Sequence, residues 1–189
     1  LKKPHIVIIS PASAKANNGN WRTAQRWNRF LQNDYRVSLS YGELPSSADV
    51  LIALHARRSA PAIAEFSASH PSSPLIVVLT GTDLYRDIHF DESAKKSLQL
   101  ASHLIVLQSA GVTELPAHLQ PKTSVIYQSA NTLKPAQQNA AKRHFTVSMI
   151  GHLREEKDPM TFLQAAEFTH TSRLRFLHIG NVIDLPLEK

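Results

Sequence analysis

Cysteine is absent from the 189 residues, which excludes a disulfide framework, a thiolate metal site and a cysteine nucleophile. With only six glycines and eleven prolines, the chain is neither collagen-like nor of low complexity. No apolar run approaches the roughly 18 residues of a membrane-spanning helix. The longest, such as Pro74 to Leu79, has the length of a strand. The opening Leu1-Lys-Lys-Pro-His5 is basic, but the apolar stretch behind it, Ile6 to Ile9, is too short for a signal peptide. What is present is a hydrophobic share of 42%, enough to exclude a disordered chain and to build a core without metals or cross-links. These features predict a soluble cytoplasmic protein.

The net charge is +6. Residues up to Leu133 carry 13 basic and 9 acidic side chains, and those beyond it carry 8 and 6. The excess is spread thinly, without the dense basic runs that bind nucleic acid. A mild surplus of this kind suits a small anion such as a nucleotide or phosphate, and it equally suits ordinary surface chemistry.

Short β-branched runs alternate with helical stretches. Strands are predicted at His5–Ser10, Arg36–Ser40, Asp49–His55, Pro74–Thr80, His103–Gln108 and Thr123–Gln128. Helices are predicted at Trp21–Asn33, Ala60–Ser69 and, capped by Asp91, through Leu100. In the first helix, 100° spacing gathers Ala24, Trp27 and Leu31 on one face and Arg22, Arg26 and Arg29 on the other. Continuous rather than alternating apolar strands imply burial on both faces. The expected fold is therefore α/β, a Rossmann-like doubly wound parallel sheet. The Ala-rich polar run from Leu133 to Arg143 reads as a linker. A second pattern then begins: strand Phe145–Ile150, loop Gly151–Lys157, helix Asp158–Phe168, strand Leu174–Ile179. The predicted organisation is residues 1–132 as a first domain, 133–144 as a linker and 145–189 as the start of a second Rossmann-like domain. One β-α-β unit has little to bury its sheet against, so the natural protein is expected to continue beyond it. An open sheet edge there is expected to favour a homodimer.

In doubly wound sheets ligands gather at the carboxyl ends of strands, and the polar clusters of this chain fall there. Asn18-Gly-Asn20 opens the first helix, where free N–H groups and a glycine suit an anion, or an Asn simply caps the helix. Arg22 in the first turn is placed to reach a cleft. His55-Ala-Arg-Arg-Ser59 offers Arg57 and Arg58 to a phosphate or carboxylate, though neighbours at a helix start cannot both point inward. Thr80-Gly81-Thr82-Asp83 joins two hydroxyls, a glycine and a carboxylate. Asp83 there is a candidate to accept a substrate hydroxyl or act as a base, or else to cap the next helix. Gly151-His-Leu-Arg-Glu-Glu-Lys-Asp-Pro159 places Arg154 and Lys157 where a diphosphate could be neutralised, with Gly151 permitting close approach. Against that reading, Glu155 and Glu156 suit a solvated loop of mixed charge.

The last of these loops resembles the Gly-x-Leu-x-x-x-Lys signature that opens the second domain of family 4 glycosyltransferases with the GT-B fold. Further phrases resemble one branch of that family, the selenosugar synthases of selenoneine biosynthesis. These are Asn18-Gly-Asn20, Leu54-His-Ala-Arg-Arg-Ser59, Leu79-Thr-Gly-Thr-Asp-Leu-Tyr-Arg-Asp87 and Val125-Ile-Tyr-Gln-Ser-Ala130, in that order. The resemblance implies a glycosyltransferase, in its full-length form, that transfers sugar from a UDP-sugar to selenophosphate. It assigns the donor diphosphate to Gly151, Arg154 and Lys157. It leaves Asn18, Gly19, Asn20, Arg22, Arg57, Arg58, Thr80, Gly81 and Thr82 to the anionic acceptor, with Asp83 orienting substrate, and it implies no metal or resident cofactor. The Glu-x7-Glu segment usual later in that domain does not follow Lys157. The alternative is a catalytically idle module that binds a nucleotide or phosphate. A doubly wound interaction domain is a third reading, and it would have no need of the cations after Gly151.

Overall fold

The computed structural model describes residues 3–16, 18–45, 47–133, 144–169 and 171–182. Most of the linker predicted at 133–144, and residues 183–189 of the second domain predicted at 145–189, lie outside the described residues. The chain divides into two compact units, Leu1–Asn131 and Thr132–Lys189.

The first unit is an α/β Rossmann-like domain built on a six-stranded parallel sheet. Strand β1 (His5–Ser10), β2 (Arg36–Tyr41), β3 (Val50–Leu54), β4 (Leu75–Leu79), β5 (His103–Val106) and β6 (Thr123–Val125) are arranged in the order β2-β1-β3-β4-β5-β6. Every pair is parallel. All six residues of β1 are buried. Its side chains alternate between two cores. Val7 and Ile9 join Leu51, Val77, Leu104, Ile63, Phe66 and Leu98 on one face of the sheet. Ile6 and Ile8 join Ile52, Leu54, Val78 and Ile105 on the other, where Ala24, Trp27 and Leu31 of helix α1 (Gly19–Leu31) pack. The first core is closed by helices α2 (Ala60–Ser69) and α4 (Glu92–Leu100). Burial on both faces is what a continuous apolar strand requires.

Element ends follow local chemistry. Asn18 Oδ1 accepts the Trp21 N–H at 3.1 Å, so α1 starts two residues before the expected Trp21. Strand β3 stops at Leu54 because His55 turns into the left-handed region, with φ of 72°. Asp91 Oδ1 accepts the Ala94 N–H at 2.9 Å and caps α4 as expected. The segment between β4 and α4 holds a π-helical turn (Asp83–Asp87) and a single turn α3 (Ile88–Phe90) that periodicity did not reveal. Among the described residues no helix is long and apolar enough to cross a membrane.

The second unit contains β7 (Phe145–Ile150), helix α5 (Pro159–Phe168) and β8 (Leu174–Ile179). Its two strands pair in parallel, Phe145 against Leu174 through Ile150 against Ile179. Phe162 of α5 meets Phe176 of β8 edge to face, with ring centroids 5.4 Å apart.

Candidate functional site

In the first unit the connections from β1 and β3 leave toward opposite sides of the sheet, which makes the carboxyl end between them the topological switch point. Asn18, Gly19 and Asn20 lie there at the start of α1. A Cβ added at Gly19 would touch nothing within 4 Å, so the helix opens onto free space at this residue. Arg22 and Arg29 are exposed, while the half-buried Arg26 reaches Ser129 Oγ at 3.3 Å. Gln128 Nε2 donates to Thr23 Oγ1 at 2.8 Å and ties the segment after β6 to the first turns of α1.

Beside the switch point, the loops after β3 and β4 are joined by two buried carboxylates. Asp83 is completely buried. Its Oδ1 accepts the N–H groups of Thr80 and Gly81, each at 2.9 Å, and its Oδ2 accepts the Ala56 N–H at 2.9 Å. Both oxygens are therefore engaged by backbone. The sequence offered Asp83 as a carboxylate for substrate or as a helix cap; in the fold its partners are backbone N–H groups of its own turn and of Ala56. Its place is that of a clasp holding its own turn and the end of β3 together. The same bonds use up the Thr80 and Gly81 N–H groups, so an anion at this loop would be met by side-chain hydroxyls.

Asp87, also completely buried, holds two arginines: Arg57 Nε lies 2.9 Å from Oδ2 and Arg86 Nε 3.0 Å from Oδ1. The Arg57 contact is an ion pair off the line of a hydrogen bond, which leaves Oδ2 without an aligned donor. Arg57 also lines a groove of about 320 Å³ together with Pro61, Ala64, Lys96 and Leu100. Arg58 stays exposed, with no side-chain partner among the described residues. Neighbouring arginines do divide, as their adjacency demanded, and Arg58 is the one left open to solvent.

His55 sits inside this network and sequence reasoning did not single it out. It is 2% exposed. Its Nε2 lies 3.2 Å from Thr82 Oγ1, its Nδ1 accepts the Arg58 N–H at 3.3 Å, and Asp83 Oδ2 stands 3.9 Å from Nδ1. Burial pushes its pKa below the usual 6.5. Asp83 pulls the other way, and Arg58 adds to the lowering. The one signal in the sequence was its place at the end of an apolar strand; the left-handed turn that buries it has no local signature.

In the second unit, Gly151, Arg154 and Lys157 fall in one turn between β7 and α5. Gly151 has φ of 152°, and a Cβ there would meet nothing within 4 Å. Its N–H and C=O are both engaged, by Ile179 O at 2.9 Å and His178 Nε2 at 2.8 Å, so what it contributes is room. Gly180 faces it so closely that an added Cβ would lie 1.9 Å from Gly151 O. Arg154 Nη2 lies 3.4 Å from Glu156 Oε1. The exposed Lys157 ammonium has no hydrogen bond or ion pair among the described residues. Asp158, in the left-handed region at φ of 48°, caps α5. Its Oδ1 accepts the Thr161 N–H at 3.3 Å and its Oδ2 accepts the Thr161 hydroxyl at 2.7 Å, while Pro159 takes the first helical position. The helix start is thereby supplied with a carboxylate of its own.

Among the described residues no group of three or more His, Asp or Glu side chains could hold a metal ion. No protein-family model matches the chain, and no curated protein matches it. The fold itself defines a class, the Rossmann-like α/β domains with parallel sheets.

Proposed function

We propose that the chain belongs to a GT-B-type glycosyltransferase that uses a UDP-sugar, with Gly151, Arg154 and Lys157 of the second unit receiving the donor diphosphate. The observation that carries this reading is the unengaged Lys157 ammonium in the same turn as Arg154 and the open Gly151. Two cations held on a short turn neutralise the charge that grows on a departing diphosphate. The acceptor is a small anion, selenophosphate in the selenosugar synthases that the sequence resembles. It is assigned to the strand ends of the first unit: Asn18, Gly19, Asn20, Arg22, Arg58 and the hydroxyls of Thr80 and Thr82. Such an acceptor arrives already ionised and needs little deprotonation. Transfer then rests on positioning and on leaving-group neutralisation, which agrees with an Asp83 committed to backbone. The bond from the anomeric carbon to the diphosphate oxygen breaks, a carbon–selenium bond forms, UDP leaves, and water releases phosphate from selenium.

Calorimetric titration with UDP tests the donor half. Arg154→Ala and Lys157→Ala are each expected to weaken binding by about tenfold or more, as loss of a charge-assisted contact does. Unchanged affinity in both variants overturns the assignment. UDP binding without sugar transfer by the intact protein would select the idle nucleotide-binding module instead.

A further inference from the structure

Resting on the acceptor site proposed above, we infer that His55 is a positioning residue: it fixes the Thr82 hydroxyl as a hydrogen-bond donor aimed at an oxyanion beyond the end of β4. The inference follows from a count of protons around the imidazole. Nδ1 accepts the Arg58 N–H at 3.3 Å, so it presents a lone pair there and carries no proton. Asp83 Oδ2, at 3.9 Å from the same nitrogen, is beyond hydrogen-bond reach and takes no proton from it. The neutral ring therefore keeps its proton on Nε2 and gives it to Thr82 Oγ1, 3.2 Å away.

A hydroxyl has a single proton and can accept while donating. Once Thr82 Oγ1 accepts from His55, its own proton is directed elsewhere, and among the described residues nothing receives it. Thr82 is half-buried, next to Gly81, whose Cα faces open space. The unused donor stands at the carboxyl end of the sheet, where an anionic oxygen accepts it. The backbone N–H groups that might have served this purpose are held by Asp83. The charged groups facing the ring are Asp83, Asp87, Arg57 and Arg58, two of each sign, and burial keeps it neutral. The left-handed backbone at His55 is what carries the side chain into this place.

Two measurements on the full chain test the inference. Nitrogen-15 NMR of the histidine rings at neutral pH is expected to show His55 neutral with its proton on Nε2. His55→Asn, whose side chain tolerates the left-handed region, identifies the resonances by their loss. Thr82→Val identifies them independently by shifting Nε2 alone. A proton on Nδ1, or a doubly protonated ring, overturns the inference. Inorganic phosphate, titrated against the amide signals of Gly81 and Thr82, is expected to bind the wild type and Thr82→Ser alike, and Thr82→Val about tenfold or more weaker. Equal binding by Thr82→Val, or no phosphate binding by the wild type, also overturns it. UDP affinity is read at the second unit, so the donor assignment stands or falls separately.

Discussion

Strands β1 and β7 are equal in length and each opens a β-α-β unit, His5-Ile-Val-Ile-Ile-Ser10 and Phe145-Thr-Val-Ser-Met-Ile150, yet they sit in opposite surroundings. Every residue of β1 is buried, whereas Phe145 is 71% exposed and Ile150 78%. The helix of the second unit likewise leaves Met160, Leu163 and Phe168 exposed. The difference is in the number of layers. Six strands with helices on both faces enclose their side chains, while the two strands and one helix among the described residues of the second unit cover only a seam. An apolar β-branched run specifies a strand, and neighbours decide whether it becomes core.

The sharpest way to break the comparison is to remove one aromatic ring from each unit. Phe66→Ala empties a fully buried site between α2 and the sheet and is expected to cost about 3–5 kcal/mol. Phe162→Ala loses a half-exposed edge-to-face pair and should cost about 1 kcal/mol. Chemical denaturation checks both, and equal losses would mean that the second unit has a core of its own. A smaller contrast compares carboxylates. Asp83→Asn leaves a neutral group facing three N–H donors, one buried and two partly buried, and should cost about 2–3 kcal/mol. Asp158→Ala removes an exposed helix cap worth about 1 kcal/mol. The mildest effect is one of pH. The folded-state pKa of His55 is depressed, so below 6.5 the unfolded chain binds the extra proton first. Its contribution to stability is complete above that value and is lost as pH falls toward the folded pKa. His55→Asn should flatten this part of the stability profile measured by urea unfolding, and an unchanged slope would assign it to other groups.

Legibility in the sequence followed the range of the interactions. Helix α2, strand β7 and strand β8 have the boundaries expected, because periodicity and flanking residues act within a few positions. The Asp158–Pro159 helix start was readable for the same reason. Strands β5 and β6 end two and three residues before expectation: pairing stops there although the apolar run continues. The π-helical turn after β4 stayed hidden because it is stabilised from outside itself, by Asp83 reaching back to Ala56 and Asp87 reaching Arg57. At the candidate site, the cluster of residues at strand ends was legible and the division of labour within it was not. Asp83, readable as a substrate carboxylate or a helix cap, bonds backbone on both sides of its turn, while His55, readable only as part of a phrase, is the buried centre.

The loops following β3 and β4 are tied twice, by Asp83 to Ala56 and by Asp87 to Arg57. They form one jaw, and a displacement of either half must carry the other with it. On the other side of the switch point the segment after β1 meets its helix at Asn18, whose Oδ1 accepts the Trp21 N–H and whose carbonyl accepts the Arg22 N–H, with no tie of this kind to the jaw among the described residues.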